Sequence, residues 1–268
     1  MIPKLVICDN DGTLVNDDHQ LTERTKQAIE KIHSQGILFG MASGRDYPQI
    51  REYAHKWGLS FEFDIVIGLN GCQLWNQHTQ TAYEYYKLTD QQKHDIMEFM
   101  KPFDMNMQFL TPEKVYFQRI DELMHASVAR NRNESRVVIF GDQTDIVYQF
   151  DLYGMIFRGT PEKVALVEKA LKEHPLEGLR GFRTQPHVFE FSNKNVNKAR
   201  ALIQYCEDEG ISLDEVVAFG DTTNDNEMLE CCYGICVANS SEDTKAVSKE
   251  ISKYTNNEDA VARYLEEY

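Results

Sequence analysis

Leu5-Val6-Ile7-Cys8 runs straight into Asp9-Asn10-Asp11-Gly12-Thr13, and this stretch decides the reading of the chain. A short apolar run that ends in polar residues and a glycine marks a buried strand delivering its last residues to a turn. The same arrangement recurs late, where Val216-Val217-Ala218-Phe219 leads into Gly220-Asp221-Thr222-Thr223-Asn224-Asp225. Carboxylates that meet at one place repel, and they ionise together only around a cation. Ligands that are all oxygen suit a hard ion, Mg²⁺ ahead of any transition metal.

Outward from the first strand, at 4–8, the signals alternate. A helix is expected over 23–35 with Gly36 as its cap, then a strand over 37–41. Next come a helix over 47–57, with Pro48 in its first turn, and a strand over 64–67 that runs into Leu69-Asn70-Gly71. The alternation resumes with a helix over 196–209, the strand over 216–219, a short helix after Asp225, a strand over 234–237, and helices near Asp243 and Asp259. This pattern implies an α/β fold with a Rossmann-like parallel sheet covered by helices. Asp9, Ser43, Asn70 and Asp221 then each lie just past the C-terminal end of a parallel strand, the edge at which open α/β sheets bind ligands. Antiparallel strands would destroy that convergence.

The middle of the chain breaks the alternation. A helix is expected over 90–100, strands over 105–110 and 114–119, and a helix over 122–132. A strand near 149–158 and a helix over 161–174 follow, the latter opened by Thr160 and Pro161, and then short strands over 180–184 and 188–191. Residues 82–184 therefore read as an inserted α+β domain, with 1–81 and 185–268 forming the core.

The motifs resemble those of the haloacid dehalogenase superfamily of phosphatases. Asp9-Asn10-Asp11-Gly12-Thr13, Ser43 in Ala42-Ser43-Gly44-Arg45, Lys198 in Asn195-Val196-Asn197-Lys198-Ala199, and Gly220-Asp221 through Asn224-Asp225 stand in family order. The position and content of the insertion resemble the C2 cap of the Cof-type subgroup, class IIB. The resemblance implies an Mg²⁺-dependent phosphatase in which Asp9 is the nucleophile and forms an aspartyl phosphate. Asp11 would protonate the leaving group and activate water, and its backbone carbonyl would join Asp9, Asp221 and Asp225 as metal ligands. The backbone N–H of Asn10, where relatives more often carry an apolar residue, would bind phosphate, as would Ser43, Gly44, Lys198 and Asn224.

Several residues keep two readings. Lys194 competes with Lys198, although the spacing from Lys198 to Asp221 resembles the family's. Arg45 could pair with substrate or with an acidic neighbour. Asn70 and Gly71 could contact substrate or form a plain turn. The Tyr83, Tyr85 and Tyr86 cluster alternates like the packed face of a strand. A phosphomutase that returns the phosphoryl group to a sugar, and a non-catalytic phosphate-binding regulator, remain the alternatives to a phosphatase.

Composition narrows the partners. The chain has 268 residues, a 42% apolar fraction, 26% charged residues and a formal charge of −15. Nucleic acid and anionic membranes reward clustered Lys and Arg, so neither is the expected partner. A small phosphorylated metabolite is, with local positive charge from metal and lysine. No stretch is apolar enough to span a bilayer, and the first apolar run is too short for a secretory signal. Cys231, Cys232 and Cys236 match no common zinc spacing, and cysteines in this usage fit a reduced, cytoplasmic compartment. Nothing in the sequence sets the oligomeric state.

Overall fold

Alternate residues of the first strand face opposite ways into two separate apolar layers, which explains why the whole run is apolar. In the computed structural model, β1 (Leu5–Asp9) sends Leu5 and Ile7 to one layer and Val6 and Cys8 to the other. A strand buried on both faces is the rule for the centre of a parallel sheet. The structure describes residues 2–111, 114–133, 136–142 and 144–268. Among these no helix is long and apolar enough to cross a membrane.

The described chain forms two compact units, one running to Tyr85 and resuming over Val196–Tyr268, the other spanning Tyr86–Asn195. In the first, β1 is followed by α1 (Glu23–Ser34), β2 (Leu38–Ala42), α2 (Tyr47–Lys56), β3 (Ile65–Gly68) and the hairpin strands β4 (Gln73–Asn76) and β5 (Thr81–Glu84). Thr22 opens α1 by accepting a hydrogen bond from the Thr25 N–H, and Asp46 does the same for α2 through Gln49.

The second unit contains α3 (Asp90–Met100), β6 (Asn106–Leu110), β7 (Lys114–Phe117), α4 (His125–Asn133), β8 (Val137–Phe140), β9 (Gly154–Arg158), α5 (Pro161–Glu173), β10 (Leu179–Gln185) and β11 (Val188–Asn193). Its six-stranded sheet has the order β10-β11-β9-β6-β7-β8. Met107, Phe109, Met155, Phe157, Phe189 and Phe191 pack on Ile96 and Met100 of α3 and Val164 and Val167 of α5.

The first unit is completed by α6 (Lys198–Glu209), β12 (Val216–Gly220), α7 (Asn226–Cys231), β13 (Tyr233–Cys236), α8 (Glu242–Val247), β14 (Glu250–Ile251) and α9 (Ala260–Leu265). Its eight strands run β14-β13-β12-β1-β2-β3-β4-β5. All neighbours from β14 to β3 pair in parallel, and β4 and β5 add an antiparallel edge. The fold is therefore α/β with a parallel sheet, and its strand order reverses direction between β1 and β12. That reversal opens the crevice at which such sheets bind ligands.

The unit boundaries differ from the 82–184 read from sequence, because strand pairing decides them. Thr81–Glu84 hydrogen-bonds to β4 and so closes the first sheet. The run expected over 188–191 belongs to the other sheet, since β11 sits between β9 and β10. No local pattern in either segment specifies its partner strand.

Past β3 the backbone turns through three left-handed residues, Leu69, Asn70 and Gly71, with φ of 48°, 55° and 106°. A Cβ on Gly71 would stand 2.1 Å from the carbonyl oxygen of Asn197, at the start of α6. Glycine lets the two segments touch. Gly71→Ala is expected to cost at least about 2 kcal/mol, from φ strain and from the displaced α6 start. Urea unfolding measures this, and a loss below half that value would show that the contact gives way easily.

Candidate active site

Four consecutive sheet positions carry the site. Parallel pairing sets Cys8 beside Phe219 and Asp9 beside Ala42, so Asp9, Ser43 and Asp221 emerge together at one sheet edge. Backbone hydrogen bonds tie the loops beyond β2 and β3 to each other. Ser43 N–H donates to Ile67 O, Asn70 N–H to Ser43 O, and Leu69 N–H to Arg45 O, all within 3.0 Å.

Lys198 is the first residue of α6, whose cap is the Asn197 side chain accepting from the Arg200 N–H at 2.8 Å. The lysine is fully buried, and its Nζ lies 2.5 Å from Asp9 Oδ1 and 2.5 Å from Asp225 Oδ1. Burial alone would lower its pKa, but the charges of Asp225 and Asp9 reverse this and raise it above the ordinary lysine value. It is held as ammonium. The competing Lys194 is exposed. On α6 the Arg200 guanidinium also stacks 4.0 Å above the ring of Tyr85, whose side chain packs with that of Tyr83 against the apolar layer.

Asp225 points its other oxygen back at the N–H groups of Asp221 and Thr222, at 3.1 and 3.3 Å. Asp221 Oδ1 accepts from the Thr13 hydroxyl at 2.9 Å. Gly12, with φ of 86°, brings the first turn against Asp221, where a Cβ would meet its Oδ2 at 2.7 Å. Asn239 secures that turn by donating to Gly12 O at 2.8 Å.

Carboxylate oxygens of Asp9, Asp221 and Asp225 lie within 4.8 Å of one another. Burial first, then the neighbouring carboxylates, raise Asp9 well above the usual carboxylate range in spite of Lys198. Burial and Asp225 push Asp221 up to about 7 against the opposing Thr13 hydrogen bond. Three buried carboxylates against one ammonium leave an excess of negative charge, and an all-oxygen donor set with that excess fits a hard divalent cation.

The Asp11 carboxylate stands apart from this cluster. Arg45 Nη2 donates to both its oxygens at 3.1 and 3.2 Å, and His19 Nδ1 lies 2.9 Å from Oδ1. Enclosure would raise its pKa, but Arg45, with help from Asn10 and His19, holds it below the usual carboxylate range. Of the two readings of Arg45, the geometry favours the acidic neighbour. Ser43 is buried, with Oγ accepting from the Arg45 N–H at 3.3 Å, while Gly44 is exposed. Asn224 Nδ2 donates to Asn70 Oδ1 at 3.2 Å, and Asn224 Oδ1 accepts from Thr222 at 2.5 Å. The turn at Asn70 is thus drawn into the same loop cluster as Asn224.

His19, Thr13 and Asn239 were not singled out by their sequence. Thr13 sits inside the first motif, which was the available signal; His19 and Asn239 reach the site only through tertiary structure. The helix expected directly after Asp225 is preceded by a 3₁₀ turn over Thr223–Asp225. All six cysteines are free thiols.

Sequence comparison assigns the family. Residues 6–265 match the haloacid dehalogenase-like hydrolase family, and the chain belongs to that family of enzymes. It is 28% identical over 277 residues to the 5-amino-6-(5-phospho-D-ribitylamino)uracil phosphatase YitU of Bacillus subtilis, covering 99% of this chain and 97% of that one. It is 24% identical over 265 residues to the phosphatase YxeH of the same organism, described there as putative by name, covering 98% and 97%. Among solved structures, a Thermotoga maritima protein superposes with a TM-score of 0.79 at 26% identity, over 100% of this chain and 98% of that one. A haloacid dehalogenase-like hydrolase of Bacteroides thetaiotaomicron shares the fold with a TM-score of 0.81 at 23% identity, over 99% of both chains.

Two outcomes follow from the charge balance. Lys198→Met leaves Asp9 and Asp225 without their shared cation, and unfolding free energy without metal is expected to fall by about 3–5 kcal/mol. A loss under about 1 kcal/mol by denaturant titration would show that the carboxylates simply take up protons. The second concerns pH. The unfolded value for an aspartate is about 3.9, so Asp221 at about 7 keeps a proton that the unfolded chain has lost. Its contribution to stability is therefore intact below about pH 4, falls between about pH 4 and 7, and is lost above. A divalent cation binds the deprotonated cluster, so the rise in Tm on adding Mg²⁺ is expected to be larger at about pH 8 than at about pH 5. The reverse order would contradict the assignment of this cluster as the cation site.

Proposed function

We propose that the protein is an Mg²⁺-dependent phosphatase of small phosphorylated metabolites that works through an aspartyl phosphate on Asp9. The observation that carries this reading is the hydrogen bond from the buried Lys198 ammonium to Asp9 Oδ1 inside the Asp221 and Asp225 cluster. That bond occupies one oxygen of Asp9 and orients the other, Oδ2, as the attacking atom. Attack on phosphorus forms the acyl phosphate and breaks the bond to the leaving oxygen. The acid–base role is assigned to Asp11: its carboxylate is ionised against Arg45 here, so it takes up a proton from solvent as substrate enters, passes it to the leaving alkoxide, and then removes one from the water that attacks the acyl phosphate. Inorganic phosphate departs and Asp9 is regenerated. Ser43, the Gly44 and Asn10 N–H groups, Asn224 and Lys198 hold the phosphoryl oxygens. Mg²⁺ held by Asp9, Asp221, Asp225 and the Asp11 carbonyl would neutralise charge so that a carboxylate can approach a phosphate. The inserted unit, Tyr86–Asn195, is assigned substrate selection as part of the same proposal.

Two relatives named for a phosphoribitylaminouracil support a substrate that joins a phosphate to a small polyol or cofactor precursor. The test is phosphate release from sugar phosphates, nucleotides, pyridoxal phosphate, flavin mononucleotide and 5-amino-6-(5-phospho-D-ribitylamino)uracil. Release is expected with Mg²⁺, to be abolished by EDTA, and to fall by at least about 10³-fold in Asp9→Asn. Transfer to a second sugar hydroxyl without free phosphate would indicate a mutase, and tight binding without turnover a regulatory protein.

A further inference from the structure

The turn after β1 carries three of the groups on which the site depends. Gly12 brings the backbone against Asp221, the Thr13 hydroxyl donates to Asp221 Oδ1 at 2.9 Å, and the Asp11 carbonyl is assigned above as a cation ligand. On its strand side the turn is closed by the N–H groups of Leu14 and Val15, which both donate to Asn10 O at 3.1 Å. Its outer carbonyls, at Gly12 and Val15, are each held by a side-chain amide from the last third of the chain.

Asn239, in the loop between β13 and α8, donates from Nδ2 to Gly12 O at 2.8 Å and accepts at Oδ1 from the Asn256 N–H at 3.0 Å. A backbone carbonyl can only accept and a backbone N–H can only donate, so these two partners fix which way the amide faces. Asn256 is buried, and its own Nδ2 donates to Val15 O at 3.1 Å and to Asp17 Oδ1 at 3.0 Å. The loop that carries Asn239 also grips the end of β12. The Ser240 hydroxyl donates to Gly220 O at 3.3 Å, and the Ser241 N–H donates to Asp221 O at 2.9 Å. One short loop thus holds the Gly12 carbonyl and, two residues later, the Asp221 carbonyl.

This clamp acts where the turn is weakest. The Asp11 carbonyl belongs to the peptide plane that ends at Gly12, and the Gly12 carbonyl belongs to the next. Gly12, at a φ of 86°, opposes rotation of those planes less than any other residue would, because glycine samples both signs of φ. The restraint therefore comes from outside the turn, and Asn239 supplies it. Asn239 is itself exposed and fills no part of the apolar layers, so its replacement leaves the packing of the unit in place.

We propose that Asn239, with its amide set by Asn256, is a positioning residue of the cation site. It holds the Gly12 turn against Asp221, so that the Asp11 carbonyl and the Asp221 carboxylate keep the arrangement a small divalent ion requires. This rests on the cation cluster of the phosphatase reading above. Mg²⁺ demands near-ideal octahedral geometry and Ca²⁺ accepts a flexible one, so a loosened turn penalises Mg²⁺ more. The test is calorimetric titration of the metal-free protein with Mg²⁺ alone and with Ca²⁺ alone. In Asn239→Ala, affinity for Mg²⁺ is expected to fall about tenfold and affinity for Ca²⁺ by less than about threefold. Asn239→Asp keeps the shape and the bond from Asn256 but cannot donate to Gly12 O. Its added charge acts on both ions alike, so the same change in the Mg²⁺ to Ca²⁺ ratio is expected. Equal losses for both ions, or an unchanged ratio in either variant, would overturn the positioning role and leave the cation cluster standing. No uptake of Mg²⁺ by the unaltered protein would instead remove the metal from the phosphatase reading, and this inference with it.

Discussion

One buried ammonium sets the terms for everything around it. Lys198 is enclosed by protein on all sides and touches two carboxylates at hydrogen-bonding distance. A charge so placed is tolerable only when paired, and here each partner has a separate anchor. Asp225 is fixed by the N–H groups of its own loop, and Asp9 ends the central strand. The loops beyond β1 and β12 are thereby locked to the start of α6. Remove the ammonium and the same burial that makes the cluster tight makes it repulsive.

The remaining imbalance is what gives the site its chemistry. Among the described residues, Thr13 is the one side-chain donor to Asp221, and burial pushes this carboxyl up to about 7. A fully balanced cluster would be a structural ion network with no appetite for a cation. Asp11, two residues from Asp9, meets the opposite environment: Arg45 Nη2 donates to both its oxygens, and His19 lies within hydrogen-bonding distance of one. The two aspartates of the first turn therefore differ in their surroundings: Asp9 shares one ammonium with Asp225 in a cluster of three carboxylates, and Asp11 faces donors.

Much of this was legible in the sequence because strand burial writes itself locally. The runs before Asp9 and Asp221 are continuously apolar since both faces of β1 and β12 are covered, and a parallel sheet then places their ends side by side. The Lys198 position was legible only against Lys194 by spacing, and it took the α6 cap at Asn197 to show which ammonium turns inward. Pairing across long separations left no local trace. The strand at 188–191 has the same composition whether it joins one sheet or the other, and β4 with Gln73 and Asn76 lacks the strand signal of its neighbours. His19 stands in a polar loop like many histidines, and only the fold carries it to Asp11.

The junction at Asn197 has a mechanical meaning. The chain returns from the inserted unit at Val196, and Lys198 follows within two residues. Between them Asn197 is pinned twice, by its own side chain capping α6 and by its carbonyl pressed against Gly71. Force carried along the backbone from the insertion must pass through this pinned residue before it reaches the ammonium. The junction acts as a strain relief, like the clamp on a cable ahead of its connector, fixing the start of α6 where the chain re-enters the first unit.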